Sequence, residues 1–151
     1  MQNRVTFQVL DQILERHLCI RMFCSSQGLR VAHIEKKSGR LAGCAEGRHV
    51  RSALLSAGQD YHGNTVPAVC PQENEREYED AIDQWVGLGN QIYVEKVKSG
   101  VVMQARMPRD ERVLLQVEHA TFRTAYAQLN RELADDEDIF DEAYCRKKYE
   151  R

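Results

Sequence analysis

The sequence predicts an α+β protein, in which a three-strand meander and a β-hairpin, both small antiparallel sheets, are packed by about four to five helices. Three observations carry that prediction. Apolar residues recur at helical spacing in residues 6–16, 47–61 and 75–86. Between the first two helices lie short runs of strand composition separated by turn residues. Near the middle, QIYVEKV and VVMQARM flank Lys98-Ser99-Gly100, the clearest hairpin signal in the chain.

The elements follow in order. Residues 6–16 place Val9, Leu10, Ile13 and Leu14 on one helix face. Residues 18–24 (LCIRMFC) are short, apolar and strand-like. Ser25-Ser26-Gln27-Gly28 turns the chain into residues 29–35, where Leu29, Val31 and His33 alternate with Arg30, Ala32 and Ile34. Lys36-Lys37-Ser38-Gly39 makes a second turn, and residues 40–46 form a third strand weakened by Gly43. A helix over 47–61 buries Val50, Ala53, Leu54, Ala57 and Tyr61. Pro67 and Pro71 mark the loop 62–74 as a candidate sub-boundary within one 151-residue domain. A helix over 75–86 turns Tyr78, Ala81, Ile82 and Trp85 inward, and Gly87 and Gly89 stop it.

Residues 110–133 admit two readings. Asp110 followed by helix formers gives one long helix through Leu114, Val117, Thr121, Ala125 and Leu129. Alternation of Val113, Leu115 and Val117 with Leu114, Gln116 and Glu118 gives a third strand before a helix from Thr121. The strand reading would make both halves helix, three strands, helix. Without residue-level identity between the halves the long helix is preferred, and an internal duplication is the lesser alternative.

Composition excludes several classes. No apolar run reaches the ~20 residues a membrane helix needs, and the N-terminal stretch interrupts its apolar residues with Asp11 and Glu15, unlike a signal peptide. Five cysteines at irregular spacing argue for reduced thiols and a cytoplasmic protein rather than a disulfide scaffold. Net charge is −2 overall, yet residues 1–60 carry nine Lys and Arg against five Asp and Glu, while residues 61–151 carry 12 against 18. Such asymmetry bears on partners rather than on fold.

Motifs for chemistry are sparse. His17, Cys19 and Cys24, or Cys44 and His49, lack the paired-knuckle spacing of a zinc site, so no metal is expected. Cys44 with His49, or Cys70 with His62, are the only thiol–base pairs to draw, and neither carries a protease or hydrolase signature. No glycine pattern makes a phosphate loop, and no cofactor is expected. A cysteine-dependent enzyme is the weakest alternative.

The most informative segment is the acidic helical tail over 132–151. Asp135, Asp136, Glu137, Asp138, Asp141 and Glu142 precede Arg146, Lys147 and Lys148, an order that opposes the dipole of a helix. Ile139, Phe140, Ala143 and Tyr144 form a narrow apolar stripe along it. The sequence therefore points to a non-enzymatic protein-binding regulator or inhibitor, whose carboxylates mimic a nucleic acid toward a basic partner surface. The alternative is a nucleic-acid-binding regulator using Arg30, Lys36, Lys37, Arg40, Arg48 and Arg51. A homodimer is also expected, through an unpaired edge of the hairpin over 91–107 with Trp85 and Tyr78 at its centre.

Overall fold

The computed structural model describes residues 7–62, 80–108, 112–136 and 138. Its described elements are α1 (Phe7–Glu15), β1 (Leu18–Cys24), β2 (Arg30–Lys36), β3 (Leu41–Gly47), α2 (Val50–His62), α3 (Ala81–Gly87), β4 (Gln91–Val97), β5 (Gly100–Arg106), β6 (Val113–His119) and α4 (Phe122–Asp135). The six strands form one antiparallel sheet in the order β3-β2-β1-β4-β5-β6. The two small sheets expected from sequence are thus one, because β1 pairs with β4 from Ile20 opposite Val94 to Met22 opposite Ile92.

That join also corrects the expected open edge. β4 lies between β1 and β5, and β5 between β4 and β6, so neither strand of the hairpin has a free edge. Trp85 is wholly buried, with its indole N–H donating to the Gln91 carbonyl at 3.0 Å, and is not available to a second chain. Residues 113–119 are the strand β6 rather than part of a long helix. The helix begins only after Thr121, whose hydroxyl accepts the Thr124 N–H while the Thr124 side chain returns the bond to the Thr121 N–H. Such a reciprocal cap fixes a helix start.

All the described helices pack on one face of the sheet. Ile20, Met22, Ala32, Ile34, Ile92, Val94, Val101, Met103, Ala105 and Val117 share a single core with Leu10, Ile13, Leu14, Leu54, Trp85, Phe122 and Leu129. These strand positions alternate along each strand, as a sheet with one covered face requires. α2 approaches β3 so closely that a Cβ at Gly43 would meet Tyr61 Cβ at 3.1 Å and the Ala57 carbonyl oxygen at 3.3 Å. The glycine that weakens the strand on propensity is what admits the helix.

The second half repeats the first with a spacing of 72 residues, shortened to 71 through β2 and β5. β3 begins at Leu41 and β6 at Val113, each with that first side chain exposed on an outer strand of the sheet. α2 begins at Val50 and α4 at Phe122. The register slips at equivalent places, between Ile34 and Glu35 and between Ala105 and Arg106. Chain reversals after α1 and α3 use a positive φ at His17 (64°) and Gly89 (96°). The expectation of one long helix hid this repeat, and a shared motif does exist: Leu10-Asp11-Gln12-Ile13-Leu14 matches Ile82-Asp83-Gln84-Trp85-Val86.

The matched aspartates clamp the halves together. Asp11 on α1 accepts the backbone N–H of Phe122, the first residue of α4, at 2.7 Å. Asp83 on α3 accepts the N–H of Val50, the first residue of α2, at 2.8 Å. Each half therefore satisfies an orphan donor at the helix start of the other half, where a carboxylate also faces the positive end of the dipole.

Candidate functional site

Three polar regions stand out among the described residues, and they differ in what they can do. The first lies among the helices. Asp83, only 2% exposed, sits 3.2 Å from Arg30 through its second carboxylate oxygen and 3.8 Å from His49 Nδ1. Asp80 caps α3 by accepting the Asp83 N–H at 2.8 Å, and accepts the Tyr126 hydroxyl at 2.7 Å. Arg51 lies 3.6 Å from Asp80 and over the Tyr126 ring at 5.6 Å. Burial raises the Asp80 pKa, against its bonds from Asp83 and Tyr126. Tyr126 is pushed well above the usual phenol value, first by burial and then by the Asp80 charge. Nearly every member bridges the halves, so this network serves the fold.

The second region is the face of the sheet opposite the described helices. β1 presents Cys19, Arg21 and Phe23 there, and β4 presents Gln91, Tyr93 and Glu95, because both strands bury the alternate positions. β2 adds His33 and Glu35, and β5 adds Gln104 and Arg106. Val31 and Val102, equivalent in the two halves, are buried on this side and stand apart from the main core. Arg21 lies 3.7 Å from Glu35 and donates to Gln91 Oε1 at 3.1 Å. His33 Nδ1 is 3.5 Å from Glu35, and its ring meets Phe23 edge-on at 4.7 Å.

Tyr93 is the hub of that face. Its hydroxyl contacts Cys19 Sγ at 3.0 Å and Glu95 at 3.4 Å. The Arg106 guanidinium stacks 4.0 Å from its ring centroid and Arg21 lies at 5.6 Å. Burial, then the Cys19 contact, raise the Tyr93 pKa, while Arg106 opposes the shift. The phenol stays neutral at ordinary pH. None of these open-face residues belongs to the sites expected from sequence. The signal was present: in LCIRMFC the arginine falls on the face opposite Leu18, Ile20 and Met22.

The third region is acidic. Glu132, Asp135, Asp136 and Asp138 line a concavity of about 510 Å³ with Leu115. Of the acidic tail residues singled out from sequence, Asp135, Asp136 and Asp138 are brought together here. Glu137, Asp141, Glu142 and the apolar Ile139, Phe140 and Tyr144 lie outside the described residues.

The basic candidates of the first half separate. Lys36, Lys37 and Arg40 are exposed around the β2–β3 turn. Arg30 and Arg51 turn instead to Asp83 and Asp80, and Arg48 is exposed just before α2. Of the thiol–base pairs, Cys44 is exposed with its N–H on Asp60 at 3.1 Å, His49 faces Asp83, and Cys70 lies outside the described residues. No described helix is long and apolar enough to cross a membrane. Comparison with protein-family models, curated proteins and solved structures returned no match.

Proposed function

We propose that the protein is a non-enzymatic protein-binding regulator or inhibitor that engages a basic partner surface through its acidic end. One observation carries the reading: Glu132, Asp135, Asp136 and Asp138 line one open concavity together with the apolar Leu115. Glu132 and Asp135 occupy the last turn of α4, which contains no basic residue. Carboxylates there face the negative end of the helix dipole, an unfavourable placement costing about 0.3–1 kcal/mol each. A cationic partner group seated in the concavity reverses the sign of that cost.

The test is capture of a partner from lysate, followed by titration of the purified pair. Affinity should fall steeply between low and physiological salt, because exposed charges are screened beyond about 8 Å there. Triple reversal of Asp135, Asp136 and Asp138 to Lys should abolish capture while leaving the thermal midpoint within a few degrees of wild type. A partner held equally well by the triple variant would contradict the reading. The second reading, nucleic-acid binding through the first half, retains support from exposed Lys36, Lys37 and Arg40 at one turn. Low-salt anisotropy with labelled RNA and DNA separates the two.

A further inference from the structure

The two halves agree on the helix side of the sheet and disagree on the open side, and the disagreement leaves one cation without a carboxylate partner among the described residues. In the first half Arg21 faces Glu35 across β1 and β2 at 3.7 Å. The positions that match them in the second half hold Tyr93 and Arg106, by the pairing of Cys19 with Glu35 and of Gln91 with Arg106. An ion pair in one repeat is thus replaced by a stacked ring and cation in the other. Among the described residues no carboxylate lies within ion-pair distance of Arg106.

The Arg106 side chain is nonetheless held in place. Its Nε donates to Gln104 Oε1 at 2.9 Å, and Gln104 is itself fixed by Gln116 at 2.6 Å. The Arg106 Cζ lies over the Tyr93 ring, 4.0 Å from the centroid. With Nε bonded to Gln104, the two terminal amino groups are, among the described residues, the donors left to a ligand. A guanidinium oriented this way has already given up most of the freedom that binding would cost, and its fork matches two oxygens on one centre. Tyr93 cannot supply the counter-charge, since its phenol is held neutral. Gln91, opposite Arg106 in the β4–β5 register, receives Arg21 on its other side, so a second guanidinium lies on the near flank.

We propose that Arg106, beside Tyr93 and flanked by Arg21 and Gln91, forms a receptor on the open sheet face for the side-chain carboxylate of an aspartate or glutamate of a partner protein. The surrounding charge selects the monoanion. Glu35 beside Arg21 and Glu95 beside the Tyr93 hydroxyl repel the second charge of a phosphate more than they repel a carboxylate. The receptor is separate from the acidic end and does not depend on the function proposed there.

The experiment is an NMR titration of the full chain at constant ionic strength, with a blocked glutamate (N-acetyl, C-amide) in one arm and inorganic phosphate in the other. Saturable shifts of the Arg106 Nε–H and Tyr93 ring signals are expected with the blocked glutamate, at an apparent affinity tighter than for phosphate. R106K keeps the charge without the fork and should weaken binding roughly tenfold. R106Q should abolish it while keeping the dispersed spectrum of the wild type. No saturable shift in the wild type, equal binding by R106Q, or a preference for phosphate would each overturn the proposal.

Discussion

The first half of the molecule and the second are built on one plan with different parts. Both run helix, three strands, helix, both slip register at the same point of the second strand pair, and both lend an aspartate to the other's helix start. Yet the first helix packs through Ile13 where its counterpart packs through Trp85, and one reversal uses His17 where the other uses Gly89. On the open face a salt bridge stands where the other half has a stacked arginine. What recurs is what burial and hydrogen bonding demand of the frame. Variation in the core is limited to what fills the same buried place, whereas on the open face the frame leaves side chains at liberty, and there function can be built.

The matched positions allow the two halves to be set against each other by mutation. Trp85→Ala should cost about 3–5 kcal/mol and Ile13→Ala somewhat less, since both are fully buried and the indole leaves the larger cavity. The midpoint of chemical denaturation measures both. Next come the clamps. Asp83→Ala takes the carboxylate from Arg30, whose side chain is 20% exposed and keeps its bonds to the Gly28 and residue-83 carbonyls, and removes the acceptor of the Val50 N–H. A loss of about 3 kcal/mol is expected, toward the lower end for breaking a buried pair because some water still reaches the cation. Asp11→Ala should cost only about 1 kcal/mol, because Thr121 already caps α4. Equal losses at Asp11 and Asp83 would show that Arg30 contributes nothing.

Smaller effects come from the reversals. Gly89→Ala should lose about 1 kcal/mol from backbone alone, since a Cβ there meets nothing within 4 Å while φ is +96°. His17→Gly, at φ 64°, should move the other way by roughly 0.5 kcal/mol, strain relief being partly offset by a freer unfolded chain. Thermal melts of both variants decide it. The subtlest test concerns pH. Burial lifts the Asp80 pKa, so the folded chain holds that proton more tightly than the unfolded chain. Its contribution to stability is therefore greatest with the proton on, and falls as pH rises from about 4 through the folded value. Asp80→Asn keeps a capping oxygen without the ionisation, so its stability relative to wild type should improve across that window. A difference that is flat with pH would deny the shift.

Much of the frame was legible in the chain. β1 emerges from LCIRMFC with the observed bounds, and the hairpin from its Lys98-Ser99-Gly100 turn, because composition and turn chemistry agree there. β6 stood only as the second of two readings, because Val113, Leu114 and Leu115 are all apolar, so a helical period fits as well as the alternation, and no residue-level identity between the halves favoured the strand. The join of β1 to β4 was not local information, since it pairs residues about 70 apart. The aspartate clamps were readable in principle, as Asp-Gln between apolar pairs occurs in both halves, but only once the halves were aligned. The open-face cluster was harder. Arg21, Tyr93 and Arg106 come from three strands, and nothing in the chain announces that their faces coincide.

The two halves complete one another, each capping the other's helix and sharing the β1–β4 seam. Expressing residues 1–70 and 71–151 as separate fragments tests this directly by circular dichroism and amide NMR. Each fragment alone should lack dispersed signals, and an equimolar mixture should recover the spectrum of the intact chain. D83A in the second fragment should weaken that recovery more than D11A in the first. Native-like dispersion in either fragment alone would contradict the account.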